Sequence, residues 1–147
     1  MNSTFSNHGF KKGDKVYSYC LSPDSELEGR ALVCAQALTL TSMGKRQGTA
    51  IYTSGGQVLT RRIYPDTQLV ADLEAVTTRA RAEYKDYSER LIARRLEAAN
   101  EWLTKYEFTS KASVVAQVKA KRDYLMIAQP SCRVWIHDGE NTTETIL

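Results

Sequence analysis

The pattern of apolar and polar positions divides the chain into two kinds of structure. The stretch from Asp66 to Gln129 contains neither glycine nor proline, although both occur before and after it. Because these residues interrupt helices, their absence predicts helix, and the abundance of Ala, Leu, Glu, Arg and Lys supports that prediction. The flanking stretches instead contain short runs rich in β-forming residues between turn residues, a pattern typical of strands.

Strands are predicted before the helical stretch. Three short runs rich in β-forming residues are bounded by turn signals: Lys15–Leu21, Thr49–Thr53 and Gln57–Tyr64. Ser54-Gly55-Gly56 joins the last two as a hairpin turn. In Arg30–Thr41 the Val and Thr content favours strand, whereas the Ala and Leu content permits helix, so the pattern leaves both open. Short strands of this kind must form a closed barrel or a sheet packed on the helices.

The helical stretch predicts a long helix followed by a shorter one. The first helix is expected to begin after Pro65, with Asp66 as its N-cap. Phe108-Thr109-Ser110 is the expected break, with Thr109 or Ser110 capping the second helix. The short connection folds the second helix back antiparallel against residues 91–106, where the apolar face widens around Trp102. We therefore expect both neighbouring elements to cover Trp102.

Apolar residues at helical spacing form a continuous seam along the first half of the long helix: Leu69, Leu73, Val76, Ala80, Tyr84 and Tyr87. The second helix is occupied with residues 91–106, so the seam needs another partner. A second copy of the chain in a two-fold homodimer is the predicted partner. The protein's own sheet lying across the same seam is the alternative.

The C-terminal stretch resumes the strand pattern. Cys132–His137 alternates apolar and polar residues, and Asp138-Gly139 is a hairpin turn signal. Thr142–Leu147 is either the return strand or a frayed tail. The predicted fold class is α+β. It comprises a small antiparallel β domain over residues 1–65, a helical hairpin over 66–129, and a C-terminal strand or hairpin over 130–147 that packs back to make one compact unit.

Composition places the chain among soluble globular proteins, with 42% hydrophobic and 25% charged residues. No apolar run is long enough to span a membrane, and Met1–Asp14 lacks the apolar centre of a signal peptide. The three cysteines are widely spaced and odd in number. Reduced thiols and a cytoplasmic location are therefore expected.

No pattern indicates catalysis or a cofactor. The two histidines, His8 and His137, have no Cys or carboxylate at metal-ligand spacing. No Gly-x-Ser-x-Gly motif surrounds a serine, and the Gly-containing segment Met43–Gly48 lacks the Gly-Lys-Ser/Thr ending of a phosphate-binding loop. The prediction is a protein without enzymatic activity, metal or cofactor.

Positive charge is concentrated at the N-terminal end. Residues 1–65 contain eight basic and four acidic residues, in a chain of net charge +3. The basic residues of this region form a candidate anion or nucleic-acid face, with tyrosines between them: Lys11, Lys12, Lys45, Arg46, Arg61 and Arg62. Charge attracts phosphate and aromatic rings stack on bases, which suits nucleic acid. Solvated basic loops with tyrosines in the core are the alternative interpretation.

A set of short motifs in the N-terminal part resembles small β-barrels of the KOW/Tudor kind. It comprises Phe10-Lys11-Lys12-Gly13-Asp14-Lys15-Val16-Tyr17, then Gly29 before an apolar strand, the Gly55-Gly56 hairpin, and Arg61-Arg62-Ile63-Tyr64-Pro65. The set is similar to the beginning of short phage-encoded proteins. The resemblance covers less than half the chain, implies a barrel and a phage origin, and assigns no site.

The functional hypothesis is a non-enzymatic, phage-type binding protein. It would capture or inhibit a host component through protein–protein contacts in the host cytoplasm. The alternative is a nucleic-acid-binding module that uses the basic face.

Overall fold

A computed structural model describes residues 9–147, so His8 and the first residues of Met1–Asp14 lie outside the described part of the chain. The described residues form seven strands and two helices, which confirms the α+β class. In chain order they are β1 (Lys15–Pro23), β2 (Ala31–Met43), β3 (Gly48–Ser54), β4 (Gln57–Ile63), β5 (Gln68–Val70), α1 (Leu73–Tyr106), α2 (Ala112–Ile127), β6 (Cys132–Asp138) and β7 (Asn141–Ile146).

All seven strands belong to one sheet organised around β2. Five strands follow the order β4-β3-β2-β1-β5, each antiparallel to its neighbours. The first half of β2 also pairs in parallel with β6, from Ala31 opposite Cys132 to Gln36 opposite His137. β1 occupies one edge of β2. The strands β3 and β6 therefore lie end to end along the other edge of β2. β2 is thus a strand, not the helix that its composition also permitted.

The five-strand part of the sheet curls around a hydrophobic cluster. The buried members of this cluster are Val16, Leu38, Leu40, Ala50, Ile63 and Leu69. Ile63 ends β4 and Leu69 lies in β5, so the two outermost strands of the five contribute to the same cluster. A sheet whose outer strands share one core must be curved, and its concave face is the face that carries these residues.

The opposite face of the sheet packs on α1. Alternate residues of β2, namely Ala31, Val33 and Ala35, are buried there with Val76 and Ala80 of α1. Successive residues of a strand point to opposite faces, so the residues between them, such as Cys34 and Gln36, face the concave side. α1 and the curled core therefore lie on opposite sides of β2.

The start of the long helix differs from the prediction. Gln68–Val70 pairs with β1 as a strand, and Asp72, not Asp66, caps the helix by accepting a hydrogen bond from the Ala75 N–H at 2.8 Å. Pairing with β1 satisfies backbone groups that a helix would otherwise satisfy internally, and tertiary context here overrides helix propensity. Leu69 consequently lies in a strand.

The seam of α1 is covered within a single chain. Val76 and Ala80 have no exposed surface, and Tyr84 and Tyr87 are partly buried against the same cluster. Leu73 is partly exposed at the first turn. The sheet of the same chain therefore buries the central seam residues, as the alternative interpretation expected, and self-association through Leu73 and the seam stays a prediction.

The helical hairpin is present as predicted, but its turn differs. α2 begins after Lys111 without a side-chain cap, so neither Thr109 nor Ser110 has the predicted role. Instead, the backbone N–H groups of both residues donate to the Tyr106 carbonyl. Trp102 is only partly buried, with its ring centroid 5.4 Å from that of Tyr106.

The C-terminal stretch forms the predicted hairpin and returns to the sheet. β7 is the return strand, paired with β6 from Asp138 opposite Asn141 to Arg133 opposite Ile146. Neither helix of the described chain has an apolar stretch long enough to cross a bilayer.

Candidate functional site

The predicted basic face separates into two groups. Lys45 and Arg46 lie in the exposed β2–β3 turn, and Arg62 Nη1 donates to Gln47 Oε1 in the same turn at 3.4 Å. Lys11 and Lys12 precede β1, next to the point where the Gly13 N–H donates to the Leu40 carbonyl near the end of β2. These five residues lie towards one end of the curled sheet. Within residues 9–147, none of the five makes an ion pair.

Arg61, the sixth basic residue, points to the concave face. It follows Thr60 and precedes Arg62 in β4, so Arg61 and Arg62 lie on opposite faces of that strand. Arg61 Nη1 donates to the side-chain Oε1 of Gln36 in β2 at 3.1 Å. Its guanidinium is thereby held over the middle of the sheet, away from the other five.

This guanidinium borders a concave cavity of about 450 Å³. Five strands contribute its lining, which consists of Ser18, Cys20, Cys34, Ala35, Gln36, Arg61, Trp135, His137 and Thr142. The buried Ser18 hydroxyl accepts from the backbone N–H of Gln36 at 3.1 Å. His137 Nδ1 and the Thr142 hydroxyl are 2.9 Å apart, so Nε2 is the ring nitrogen left for another partner. The cavity therefore combines fixed polar groups with the half-exposed indole of Trp135.

Two thiols also line the cavity. Cys20 and Cys34 are directly opposite in the β1–β2 ladder, and both are free. Burial raises the pKa of the Cys34 thiol, and that of the buried Cys132, on the α1 side of the sheet, is raised by burial to about 11. Neutral thiols are weak nucleophiles and poor metal ligands. Among the described residues, no group of three His, Cys, Asp or Glu side chains is arranged to hold a metal ion.

A cluster of ion pairs joins the β1–β2 loop to the start of β6. The fully buried carboxylate of Asp24 accepts from Arg133 Nε at 2.9 Å, Arg133 Nη2 at 3.0 Å and Arg30 Nε at 2.8 Å. Burial favours a higher pKa for Asp24, but hydrogen bonds from Arg133, the Glu26 N–H and Arg30 together lower it to about 2. Arg133 also binds Glu144 at 2.8 Å. The cluster ties the β1–β2 loop to β6 and β7, and its charges are mutually satisfied.

The turn of the helical hairpin exposes apolar side chains. Phe108 is 94% exposed, and Tyr106 and Val114 on either side of it are also exposed. Glu107 and Lys119 form an ion pair at 2.7 Å across the hairpin, which holds the turn in place. Most proteins expose large apolar residues singly, whereas several lie together at this turn.

Sequence reasoning found Arg61 but missed the cavity around it. Trp135 and His137 reach the cavity only because β6 pairs in parallel with β2, about a hundred residues earlier in the chain. The available signal was the alternation of Cys132–His137, which places Arg133, Trp135 and His137 on one face of the strand. No protein-family model, curated protein or solved structure matches this chain.

Proposed function

We propose that this chain is a non-enzymatic binding protein whose helical hairpin binds another protein, and that this partner is a host component that it captures or inhibits. The observation that carries the proposal is the exposure of Phe108 at the hairpin turn. The similarity of the N-terminal motifs to short phage-encoded proteins supports a host component as the partner.

The end of the helical hairpin that carries Phe108 lies away from the residues of α1 that pack on the sheet. Those residues lie in the first half of α1, from Val76 to Ser88, and α1 also packs on α2. A two-helix layer has no third element on its outer side. Exposed aromatic residues such as Tyr106 and Phe108 are of the types enriched at protein–protein interfaces.

Capture of partners from host lysate tests the proposal. The immobilised protein is expected to retain one protein, identified by mass spectrometry, with and without nuclease. Phe108→Ser should remove that protein, because it deletes the exposed ring without touching the buried core.

Val58→Ser is the matched control. Val58 is also an exposed apolar residue, at 67%, but it lies on β4. Retention of the same protein by Phe108→Ser, or equal loss in both variants, would contradict the assignment of the hairpin turn as the binding surface.

The second candidate function is nucleic-acid binding at the basic end of the curled sheet. The observation that favours it is the grouping of Lys45, Arg46 and Arg62 without acidic partners in the described chain. Neutralised phosphates release counterions, so binding would weaken steeply with salt. Titration of short single- and double-stranded oligonucleotides at two salt concentrations tests it. Submicromolar affinity that is lost in Arg46→Glu/Arg62→Glu would favour this candidate.

A further inference from the structure

We propose that the concave cavity bordered by Arg61 and Trp135 is a binding site for a small planar aromatic anion carrying a carboxylate or phosphate group. The proposal concerns a different surface from the hairpin turn and is independent of the protein-binding function.

The size and lining of the cavity fit a small molecule. Its volume of about 450 Å³ lies in the range of roughly 300–1,000 Å³ found for small-molecule sites. Its lining residues come from five strands of one sheet, and sites built on rigid elements hold their groups more precisely than sites built on loops. The mixture of one large aromatic surface with a few fixed polar groups is typical of ligand sites.

The positive charge among the lining residues favours the binding of an anion. Arg61 is the only charged side chain among the lining residues when His137 is neutral. A guanidinium has five N–H donors, and the structure shows one of its terminal nitrogens, Nη1, donating to Gln36. The remaining donors have the planar arrangement that binds carboxylate or phosphate oxygens in pairs.

Nearby carboxylates do not neutralise this guanidinium. Glu144, opposite Trp135 on β7, is paired with Arg133 at 2.8 Å. Asp138 follows His137 but faces the other side of the sheet, where burial, followed by the charge and hydrogen bond of Asp138, raises the pKa of Tyr17. The Arg133 guanidinium lies 5.9 Å from the centroid of the Trp135 ring, but it is paired with Asp24 and Glu144, so Arg61 is the available positive charge at the cavity.

Trp135 supplies the surface for a planar ring. Its indole is 45% exposed and lines the cavity, whereas most tryptophans bury their rings. Offset stacking on an indole is favourable for aromatic ligands and requires only a flat ring. The side-chain amide of Gln36, the Ser18 hydroxyl and Nε2 of His137 would then fix the orientation of the bound anion.

Two anions with different charged groups, 2-naphthoate and adenosine 5′-monophosphate, are suitable probes, with 2-naphthalenemethanol as the uncharged ring. Calorimetry on the full chain is expected to show saturable binding of at least one anion, with a dissociation constant below about 1 mM. The uncharged ring should bind at least about tenfold more weakly, because it cannot pair with Arg61. The anion that binds more tightly identifies the carboxylate or phosphate as the preferred group.

Two arginines outside each other's surroundings provide the matched variants. Arg61→Gln is expected to weaken binding at least about tenfold, and Arg94→Gln, at an exposed position of α1, should leave it unchanged. Trp135→Leu is also expected to weaken binding, which tests the contribution of β6 to the same site. Circular dichroism confirms the fold of each variant. Bound anion should also slow the alkylation of Cys20 by iodoacetamide, because Cys20 lines the same cavity.

If neither anion binds the folded protein with a dissociation constant below about 1 mM, the proposal is overturned. Equal weakening by Arg61→Gln and Arg94→Gln would also overturn it, since that result indicates diffuse attraction to positive charge.

Discussion

The hydroxyl of Ser88 in α1 donates a hydrogen bond to the carbonyl oxygen of Gly29 at 2.7 Å, and it accepts one from the backbone N–H of Ser131 at 3.1 Å. Gly29 precedes β2 and Ser131 precedes β6, at the ends where these two strands begin to pair. One fully buried hydroxyl therefore joins the long helix to both strands.

Ser88→Ala is expected to lower the free energy of unfolding by about 1–3 kcal/mol, since it leaves a buried carbonyl and a partly buried N–H without this partner. Urea denaturation measures the loss. Ser113→Ala, at an exposed position of α2, should change stability by less than about 0.5 kcal/mol. Equal stability of the two variants would show that the Ser88 hydrogen bonds do not contribute.

Gly29→Ala should also destabilise the protein, for two reasons. The φ angle of Gly29 is +84°, which alanine rarely adopts, and an added Cβ would lie 2.7 Å from Ile92 Cγ1. Gly139→Ala separates the two effects, because Gly139 has φ +65° but no atom within 4 Å of an added Cβ. Urea denaturation of Gly29→Ala should therefore show the larger loss, and Ile92→Ala should relieve part of it. Equal losses in the two glycine variants would exclude the steric contribution.

The Asp24 cluster predicts a loss of stability in acid. The folded-state pKa of Asp24 is about 2, below the ordinary value of 3.8, so folding favours the ionised carboxylate. This stability is complete above the ordinary pKa and is lost as the pH falls from about 4 towards 2. The difference corresponds to about 2 kcal/mol of unfolding free energy.

Urea denaturation between pH 5 and pH 2 measures this loss. Asp24→Asn should be less stable than the natural protein at pH 5 and should lose less stability on acidification. Asp66→Asn, at an exposed carboxylate, should retain the steep dependence. An unchanged acid dependence in Asp24→Asn would assign the effect to other carboxylates.

The covered seam predicts that Ala80→Glu unfolds the protein, because Ala80 is fully buried between α1 and the sheet in one chain. Ala82→Glu changes an exposed position of the same helix and should leave the fold intact. Circular dichroism and light scattering measure both variants. A folded Ala80→Glu variant whose mass falls from dimer to monomer would support the homodimer prediction.

Local sequence determined the type of most elements. Runs rich in β-forming residues predicted β1, β3 and β4, and alternation predicted β6. The Gly55-Gly56 turn predicted the β3–β4 hairpin, and both glycines have the positive φ that such a turn requires. Helix-forming composition and the break expected at residues 108–110 predicted the helical hairpin, and that break lies between the end of α1 and the start of α2. These features depend on the φ/ψ preferences of neighbouring residues, so they can be read without knowing any distant contact.

Tertiary structure decided which surfaces meet. Alternation shows that Trp135 and His137 share a face of β6, but the strand beside β6 is specified by backbone pairing with β2, which carries no local signal. The cavity around Arg61 follows from that pairing. The same reason explains why Gln68–Val70 is a strand, since its pairing with β1 outweighs helix propensity. It also explains the seam at Val76 and Ala80, where the sheet of the same chain lies in the place that a second copy was predicted to take. The pattern of a buried face shows that it is covered, whereas the identity of the covering element depends on contacts between residues far apart in the chain.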